Sequence, residues 1–173
     1  MKPLYIFDLD GALALIHHRR HFVENPTKQC PTCRGTHVAC PTCKDNGRDK
    51  WKPNWDAFHA ACVDDVPNRP VISILEKLQH DADIWVWSGR SDLVFYQTCA
   101  WLDAHLGRIS WDAIRMRQAG DFTPDDILKR SWLRTLHNVD RERLVATFDD
   151  RDRIVKMWRD EGITCLQVAP GDF

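Results

Sequence analysis

Short apolar runs that end at polar residues alternate with helical segments along most of this chain. The runs at residues 4–7, 84–87 and 144–148 are each followed by Asp or Ser, which is typical of buried parallel strands. Weaker runs at residues 113–116 and 164–168 predict two further strands. This alternation predicts an α/β fold of three layers, in which helices cover both faces of a central parallel sheet.

Four segments between these runs have apolar residues at helical spacing. They contain Val71, Ile74, Leu75 and Leu78; Phe95, Cys99, Leu102 and Leu106; Leu128, Trp132 and Leu136; and Ile154, Val155 and Trp158. Thr123 and Pro124 predict the start of the third helix, as a hydroxyl cap followed by Pro at the first helical position. Gly107 and Gly162 predict the ends of the second and fourth helices.

Residues 11–67 interrupt the alternation and predict an insertion after the first strand. The segment is rich in Gly, Pro, Cys and His and shows little periodicity before its last part. We expect residues 1–10 and 68–173 to form the core domain. The insertion is expected to rise above the carboxyl end of the first strand, because ligands of such sheets bind at that edge.

Length and composition favour an ordinary globular protein. The chain has 173 residues, of which 43% are hydrophobic and 28% are charged, and its formal net charge is −1. Residues 17–52 nevertheless hold eight Lys and Arg against three Asp and Glu, which suits a polyanionic ligand. No apolar run approaches the ~20 residues that span a bilayer. Acidic residues also appear too early for a signal peptide, so we expect a cytoplasmic protein.

The sequence Asp8-Leu9-Asp10-Gly11 is the clearest candidate for catalysis. If strand geometry continues, the two carboxylates point the same way, and one can attack phosphorus while the other transfers a proton. Phosphate repels carboxylates, so this chemistry needs a hard cation such as Mg²⁺ with oxygen ligands. The alternative is a strand-end turn without chemistry.

Three further polar clusters are candidates for the same site. Ser88-Gly89-Arg90 could hold a phosphoryl oxygen through its hydroxyl and the amides of a following helix, although such pairs also mark ordinary turns. Lys129 has a simpler alternative, an i,i+4 surface pair with Asp125. Asp149 and Asp150 could complete a metal site, or cap the following helix.

Taken in this order, the four clusters resemble the motifs of the haloacid dehalogenase (HAD) superfamily of phosphotransferases. The part from residue 70 onward further resembles the 3′-phosphatase domain of phage-type polynucleotide kinase/phosphatase. The narrower resemblance is carried by residues 86–90, 117–121, 125–129, 148–151 and 155–173. Ala12 departs from this family, which usually has Thr or Val there. The chain also lacks the GxxxxGK[ST] motif of the kinase half.

The resemblance implies a role for each matching residue. Asp8 would be the nucleophile that forms an aspartyl-phosphate, and Asp10 would protonate the leaving hydroxyl and then activate water. Ser88 would bind the phosphoryl group, and Lys129 would neutralise charge around it. Mg²⁺ would be held by Asp8, the backbone carbonyl of Asp10, Asp149 and Asp150. The substrate side of the site would be shaped by Arg90, Arg117 and Asp125.

Four of the seven cysteines form two CPTC motifs within the insertion. These residues, Cys30, Cys33, Cys40 and Cys43, resemble zinc knuckles of the DnaJ type. Four thiolates suit a tetrahedral structural Zn²⁺ in a small cap, and disulfides or free thiols are the alternatives. The remaining three, Cys62, Cys99 and Cys165, lie in apolar neighbourhoods and are expected in the core.

The insertion also offers contacts for a nucleic acid. We interpret residues 17–21, His-His-Arg-Arg-His, as contacts to a phosphate backbone, with a solvated loop as the alternative. Further basic residues follow at Arg34, Lys44, Arg48, Lys50 and Lys52. Trp51 and Trp55 could stack on bases. Their spacing with Phe58 and Cys62 favours the packing face of a helix instead.

These observations leave three hypotheses of function. The first is a Mg²⁺-dependent phosphomonoesterase that removes 3′-phosphates from nucleic-acid ends. The second is a HAD phosphatase acting on nucleoside monophosphates or other small phosphorylated metabolites. The third is a non-catalytic, zinc-containing module that binds nucleic acid. The basic insertion favours the first, and the complete set of Asp8, Asp10, Lys129 and Asp149 argues against the third.

Overall fold

The computed structural model of the chain describes residues 1–25, 32, 42, 52–107 and 113–171. It contains two compact units, one formed by Met1–Leu15 with Val63–Phe173 and the other by Ile16–Cys62. Residues 11–15 and 63–67, which the sequence analysis included in the insertion, thus belong to the first unit.

The first unit is built on a five-stranded parallel sheet. Its strands are β1 (Leu4–Phe7), β4 (Asp83–Ser91), β5 (Ile114–Arg117), β6 (Leu144–Asp149) and β7 (Cys165–Gln167). They lie in the order β5-β4-β1-β6-β7, and each neighbouring pair is parallel. A second, antiparallel pair is formed by β2 (Ala14–Leu15) and β3 (Val66–Pro67). The predicted parallel sheet is therefore confirmed.

Helices cover both faces of this sheet. They are α2 (Arg69–Leu78), α3 (Phe95–Leu106), α4 (Asp125–Arg134), α5 (Asn138–Arg143) and α6 (Asp152–Asp160), while α1 (Trp55–Ala60) belongs to the second unit. The short α5 was not predicted, because its sequence is almost entirely polar and carries no apolar stripe. No helix among the described residues is long and apolar enough to cross a membrane.

Two predicted helix starts differ from those in the structure. Strand β4 continues through Ser91, and a 3₁₀ helix over Asp92–Val94 follows it, so no α-helix begins directly after Ser88-Gly89-Arg90. Pro124, rather than Thr123, occupies the cap of α4, and no side chain caps this helix. Thr123 lies in the preceding loop, where its backbone carbonyl accepts a hydrogen bond from Arg117 at 2.6 Å.

The side chains of β1 alternate between the two layers of the core. Leu4 and Ile6 pack with α4 and α6, and Phe7 packs with α2 and α3. Both faces of the sheet are thus buried, as the near-continuous apolar runs predicted. Cys62, Cys99 and Cys165 are buried, as expected.

In the second unit, α1 packs beside a 3₁₀ helix over Arg20–Phe22. The Asn54 side chain caps this helix by accepting a hydrogen bond from the Ala57 amide at 3.0 Å. Arg19 is fully buried, and its guanidinium lies 4.2 Å from the centre of the Phe58 ring. Its Nη1 also donates to the Phe58 carbonyl at 3.2 Å. Arg19 thus packs inside this unit.

Candidate active site

The candidate residues lie at one edge of the sheet, where its central strands end. Asp8 follows β1, and its amide donates to the Phe148 carbonyl of β6 at 2.8 Å. Asp149 is the last residue of β6, and Ser88 lies near the end of β4. Because β1 lies between β4 and β6, these residues occupy neighbouring positions. Helix α2, which follows β1, and helix α6, which follows β6, pack on opposite faces of the sheet. Ligands of open α/β sheets bind at such a point.

A buried lysine joins two carboxylates at this edge. Lys129 Nζ donates to Asp8 Oδ1 at 2.5 Å and to Asp149 Oδ2 at 2.7 Å. Asp8, Asp149 and Asp150 each present an oxygen within 4.8 Å of the other two. We call these four residues the lysine-centred cluster, and all four are buried.

The alternative explanation of Lys129, a surface pair with Asp125, is wrong. Lys129 is only 3% exposed, and Asp125 instead accepts hydrogen bonds from Arg117 and Arg151. The helical period places Lys129 on the inner face of α4, one residue after the buried Leu128.

Burial and charge shift the pKa values of this cluster. Desolvation raises the pKa of Asp8 well above its ordinary value, and the Asp149 and Asp150 charges act the same way against the opposing effect of Lys129. Desolvation, followed by the charge of Asp149, raises the pKa of Asp150 to about 7. For Lys129, burial alone would lower the pKa, but the charges of Asp149 and Asp8 outweigh it and raise the pKa. The ammonium therefore stays charged.

The lysine-centred cluster has the donor set of a magnesium site. It contains three carboxylates and one ammonium, and oxygen is the ligand type that Mg²⁺ prefers. Asp150 Oδ1 is buried and has no hydrogen-bond partner among the residues that the structure describes. A buried carboxylate oxygen without a partner is costly, and a divalent cation would satisfy it. The residues present thus fit Mg²⁺.

Close backbone contacts fix the position of Asp150. Gly11 has φ +96°, and a Cβ there would lie 2.0 Å from Asp150 Oδ2, so only glycine fits this turn. Gln167 Nε2 donates to the Asp150 carbonyl at 2.9 Å. A Cβ on Gly171 would lie 2.5 Å from the same carbonyl oxygen. The turn after β1 and the last described residues of the chain thus both pack against Asp150.

A buried arginine forms a second cluster around Asp10. Arg90 Nε donates to Asp10 Oδ2 at 3.3 Å, and Nη2 donates to Asp10 Oδ1. Nη2 also donates to Asp65 Oδ2 at 2.6 Å, and Nη1 donates to Thr98 Oγ1 at 3.2 Å. We call Asp10, Asp65, Arg90 and Thr98 the arginine-centred cluster. The structure thus places the carboxylates of Asp8 and Asp10 with different cations.

Neither Asp65 nor Thr98 was predicted as a site residue from the sequence. Asp65 follows another acid, Asp64, and belongs to no recognisable motif. Thr98 lies within α3, and nothing in the sequence of this helix indicates that its hydroxyl has a buried partner. No signal in the sequence could have separated Asp65 from its exposed neighbour Asp64.

The remaining predicted site residues lie around Gly89. Ser88 is fully buried, and its Oγ accepts a hydrogen bond from the Arg90 amide at 3.2 Å. Arg117 Nε donates to the Gly89 carbonyl at 2.8 Å, and its Nη2 donates to Asp125 Oδ1. A Cβ on Gly89 would lie 2.5 Å from that Asp125 oxygen, so the close approach requires glycine. Arg117 and Asp125 are therefore paired beside Ser88, and their contact with substrate stays a prediction.

Much of the predicted nucleic-acid and zinc chemistry lies outside the described residues. This applies to Cys30, Cys33, Arg34, Cys40, Cys43, Lys44, Arg48, Lys50 and Trp51. Within the described part, His17, His18, His21 and Lys52 are exposed, whereas Arg19 is buried. Trp55 is 47% exposed, and its ring packs edge-on against Phe58 at 5.7 Å between centroids.

A comparison with family models identifies the class of this protein. The model described as the polynucleotide kinase PNKP phosphatase domain, a HAD family, matches residues 44–173. The chain therefore belongs to this family and is a HAD-type phosphatase. A phosphatase family, together with the assembled polar site, does not support the hypothesis of a purely non-catalytic module.

Solved structures share the fold of this chain. A structure of the Pnkp1/Rnl/Hen1 RNA repair complex has a TM-score of 0.68 and 25% identity, over 99% of this chain and 44% of that chain. The chain thus spans less than half the length of this relative. CbbY from Rhodobacter sphaeroides in complex with phosphate has a TM-score of 0.56 and 18% identity, over 100% and 88% of the two chains. A HAD family enzyme from Bacteroides thetaiotaomicron in complex with magnesium and inorganic phosphate has a TM-score of 0.51 and 12% identity, over 100% of this chain and 97% of that chain.

Proposed function

We propose that this phosphatase removes 3′-phosphates from nucleic-acid ends in a Mg²⁺-dependent reaction. The observation that carries the proposal is the convergence of Asp8, Lys129 and Asp149 beside the second acid of the same turn, Asp10. Family membership supports a phosphomonoesterase, and these residues supply the groups that such a reaction needs.

The proposed reaction has two steps. In the first, an Asp8 carboxylate oxygen attacks phosphorus, the bond from phosphorus to the sugar oxygen breaks, and Asp10 gives its proton to that leaving oxygen. In the second, water attacks the phosphorus of the aspartyl-phosphate while Asp10 takes the proton of the water. The bond from phosphorus to Asp8 then breaks, which releases inorganic phosphate and restores both acids.

The lysine-centred cluster would lower the charge repulsion in both steps. Asp8, Asp149 and Asp150, with the backbone carbonyl of Asp10, would hold Mg²⁺, which supplies positive charge to the phosphoryl oxygens when it is bound. The Lys129 ammonium, 2.5 Å from Asp8 Oδ1, supplies a fixed positive charge at the nucleophile. Ser88 would donate its hydroxyl to a phosphoryl oxygen. Arg90, which holds Asp10, would shape the substrate side of the site together with Arg117 and Asp125.

The choice of a nucleic-acid substrate is supported by the family and by charge. The matched family model is described as the phosphatase domain of a polynucleotide kinase. One chain of similar structure belongs to an RNA repair complex. The segment 17–52 carries eight basic against three acidic residues. Contacts from such basic residues to phosphates would favour polynucleotides over mononucleotides, because each phosphate that is bound releases counterions.

A comparison of substrates tests this proposal. Phosphate release is measured from a 3′-phosphorylated oligonucleotide, the same oligonucleotide with a 5′-phosphate, and 3′- and 5′-mononucleotides, each with Mg²⁺ or EDTA. We expect activity to require Mg²⁺ and kcat/KM for the 3′-phosphorylated oligonucleotide to be at least ~10-fold above the others, from added contacts. Far faster turnover of mononucleotides would make the enzyme a small-nucleotide phosphatase, and activity in EDTA would overturn the magnesium site.

We also propose that the CPTC motifs bind a structural Zn²⁺ that stabilises the insertion at residues 11–67 as a small cap. Thr32 and Thr42 occupy the same place in the two motifs, and their hydroxyl oxygens lie 2.8 Å apart, which supports a pairing of the motifs. Four thiolates favour a reducing compartment, in line with the cytoplasmic location that we propose. We expect one Zn²⁺ per purified chain. It should be lost in Cys33→Ser and retained in the buried control Cys62→Ser; a zinc-free native protein would contradict the proposal.

A further inference from the structure

Asp65 is a buried acid whose partner is shared with the proposed acid–base residue. The side chains of Asp65 and Arg90 are both 0% exposed, and Arg90 Nη2 lies 2.6 Å from Asp65 Oδ2. The same guanidinium binds both oxygens of Asp10, through Nε and Nη2. One cation therefore joins two carboxylates, of which Asp10 is the more exposed, at 18% of its side chain.

The shape of a guanidinium makes this arrangement directional. Its donors are fixed in one plane, so a carboxylate bound by Nε and Nη2 takes its orientation from that plane. The plane itself is held on the other sides of the group, where Nη2 donates to Asp65 and Nη1 donates to Thr98 Oγ1 at 3.2 Å. Loss of the Asp65 charge would loosen the plane and, with it, the direction of the Asp10 carboxyl group.

Asp65 is in turn fixed to the core through its backbone. Its carbonyl accepts a hydrogen bond from Trp101 Nε1 at 2.7 Å, and α3 supplies both Trp101 and Thr98. The next residue, Val66, pairs with Leu15 in the two-stranded sheet that follows the Asp10 turn. Asp65 and Asp10 therefore lie on two segments that are hydrogen-bonded to each other a few residues further on.

We propose that Asp65 is a positioning residue, which holds Arg90 so that the Asp10 carboxyl group faces the leaving oxygen. The inference rests on the proposed role of Asp10 as the acid. It predicts that Asp65 matters most where the leaving group needs a proton. A sugar alkoxide needs one, whereas p-nitrophenolate is stable without one.

The test measures release of the leaving group in the first turnover, before hydrolysis of any intermediate. Asp65→Asn keeps the shape of the side chain and removes its charge. We expect release from a 3′-phosphorylated oligonucleotide to fall ~10- to 100-fold and release of p-nitrophenol from p-nitrophenyl phosphate to fall less than ~3-fold. The matched control is Asp64→Asn, which removes the adjacent exposed charge and should stay within ~2-fold on both substrates.

Each outcome decides for or against the inference. An equal loss on both substrates, or no loss on either, would overturn the role of Asp65. Asp10→Asn in the same assay separates this failure from that of the proposed function, because it should show the alkoxide-selective loss whether or not Asp65 does. If Asp65→Asn does not fold by circular dichroism, Thr98→Val replaces it. That variant removes another acceptor of Arg90, and absence of a selective loss there would equally overturn the inference.

Discussion

Asp8 and Asp10 are two residues apart in the chain, yet the fold gives them different cations. Asp8 shares the Lys129 ammonium with Asp149, and the Asp150 carboxylate completes this group of acids. Asp10 accepts two hydrogen bonds from Arg90, which Asp65 and Thr98 hold in place. A lysine-centred cluster and an arginine-centred cluster therefore lie side by side at the end of β1.

Lysine and arginine place different constraints on the carboxylates that they bind. The lysine is a compact point charge, which neutralises without fixing direction, and it leaves carboxylate oxygens available for a metal ion. The arginine is a planar fork, which fixes the direction of the carboxylate that it binds. Two acids with different surroundings are what a nucleophile and an acid–base partner require.

The largest expected effect separates these two acids directly. Asp8→Asn should abolish release of the leaving group from every phosphomonoester, because no carboxylate remains to attack phosphorus. Asp10→Asn should still release p-nitrophenol once per chain and then accumulate a hydroxylamine-sensitive phosphoprotein, because water is no longer activated. Rapid-quench assays with labelled phosphate measure both. An active Asp8→Asn enzyme would make the comparison meaningless, since the nucleophile would lie elsewhere.

Removal of the ammonium should break the lysine-centred cluster. In Lys129→Met, Asp8 and Asp149 are left buried without their shared cation, so we expect the metal-free protein to lose about 3–5 kcal/mol in free energy of unfolding. Activity should fall ~10³-fold, since a fixed charge at the nucleophile is lost. Denaturant titration in EDTA measures the stability. The matched control is Lys156→Met, which removes an exposed i,i+4 pair with Asp160 and should cost less than about 0.5 kcal/mol. Equal costs would contradict the cluster.

The pH dependence of stability should report on Asp150. Its pKa of about 7 lies above the ordinary value of 3.8, so between these values the folded metal-free protein holds a proton that the unfolded chain releases. The stabilisation that comes with this proton is complete below pH 3.8, the ordinary pKa of an Asp, and is lost as the pH rises from there through 7. Relative to Asp150→Asn, the protein in EDTA should therefore lose about 2–3 kcal/mol between pH 5 and pH 8.

Controls for this prediction use metal and a distant acid. Mg²⁺ at pH 8 should restore the lost stability in the unmodified protein and have less effect in Asp150→Asn, because one ligand is missing. Asp160→Asn, at an exposed position of α6, should keep the pH dependence. A stability that rises from pH 5 to pH 8 relative to Asp150→Asn would show that Asp150 is ionised in the folded protein without metal.

The smallest expected effect concerns the turn that separates the two acids. Gly11→Ala and Gly162→Ala both place a side chain at positive φ, +96° and +77°, and each should cost about 1 kcal/mol for that reason. Only Gly11 has a neighbour, Asp150 Oδ2 at 2.0 Å from the new Cβ, whereas Gly162 has open space. Gly11→Ala alone should raise the Mg²⁺ concentration for half-maximal activity by ~10-fold or more. The same Mg²⁺ requirement in both variants would mean that Gly11 serves only the turn.

The sequence located the site but not its internal contacts. Apolar runs ending at Asp8, Ser88 and Asp149 predicted strands whose ends share one edge, and the structure has these residues at that edge. It did not predict the burial of Lys129, because helical spacing to Asp125 fits a surface pair equally well. Nor did it predict Asp65, since its partner Arg90 lies 25 residues away and no local rule connects them.

The local pattern by itself determined the layers of the fold, because the period of apolar residues sets which faces of a strand or helix are buried. It also determined that acids would gather where β1 and β6 end, since parallel strands point the same way. Which acid pairs with which cation, by contrast, follows from the three-dimensional packing. Helix α3 brings Thr98 to Arg90, and helix α4 brings Lys129 to Asp8. The chain also returns at Asp65 to contact Arg90. All three contacts join residues through space that the local sequence pattern does not connect.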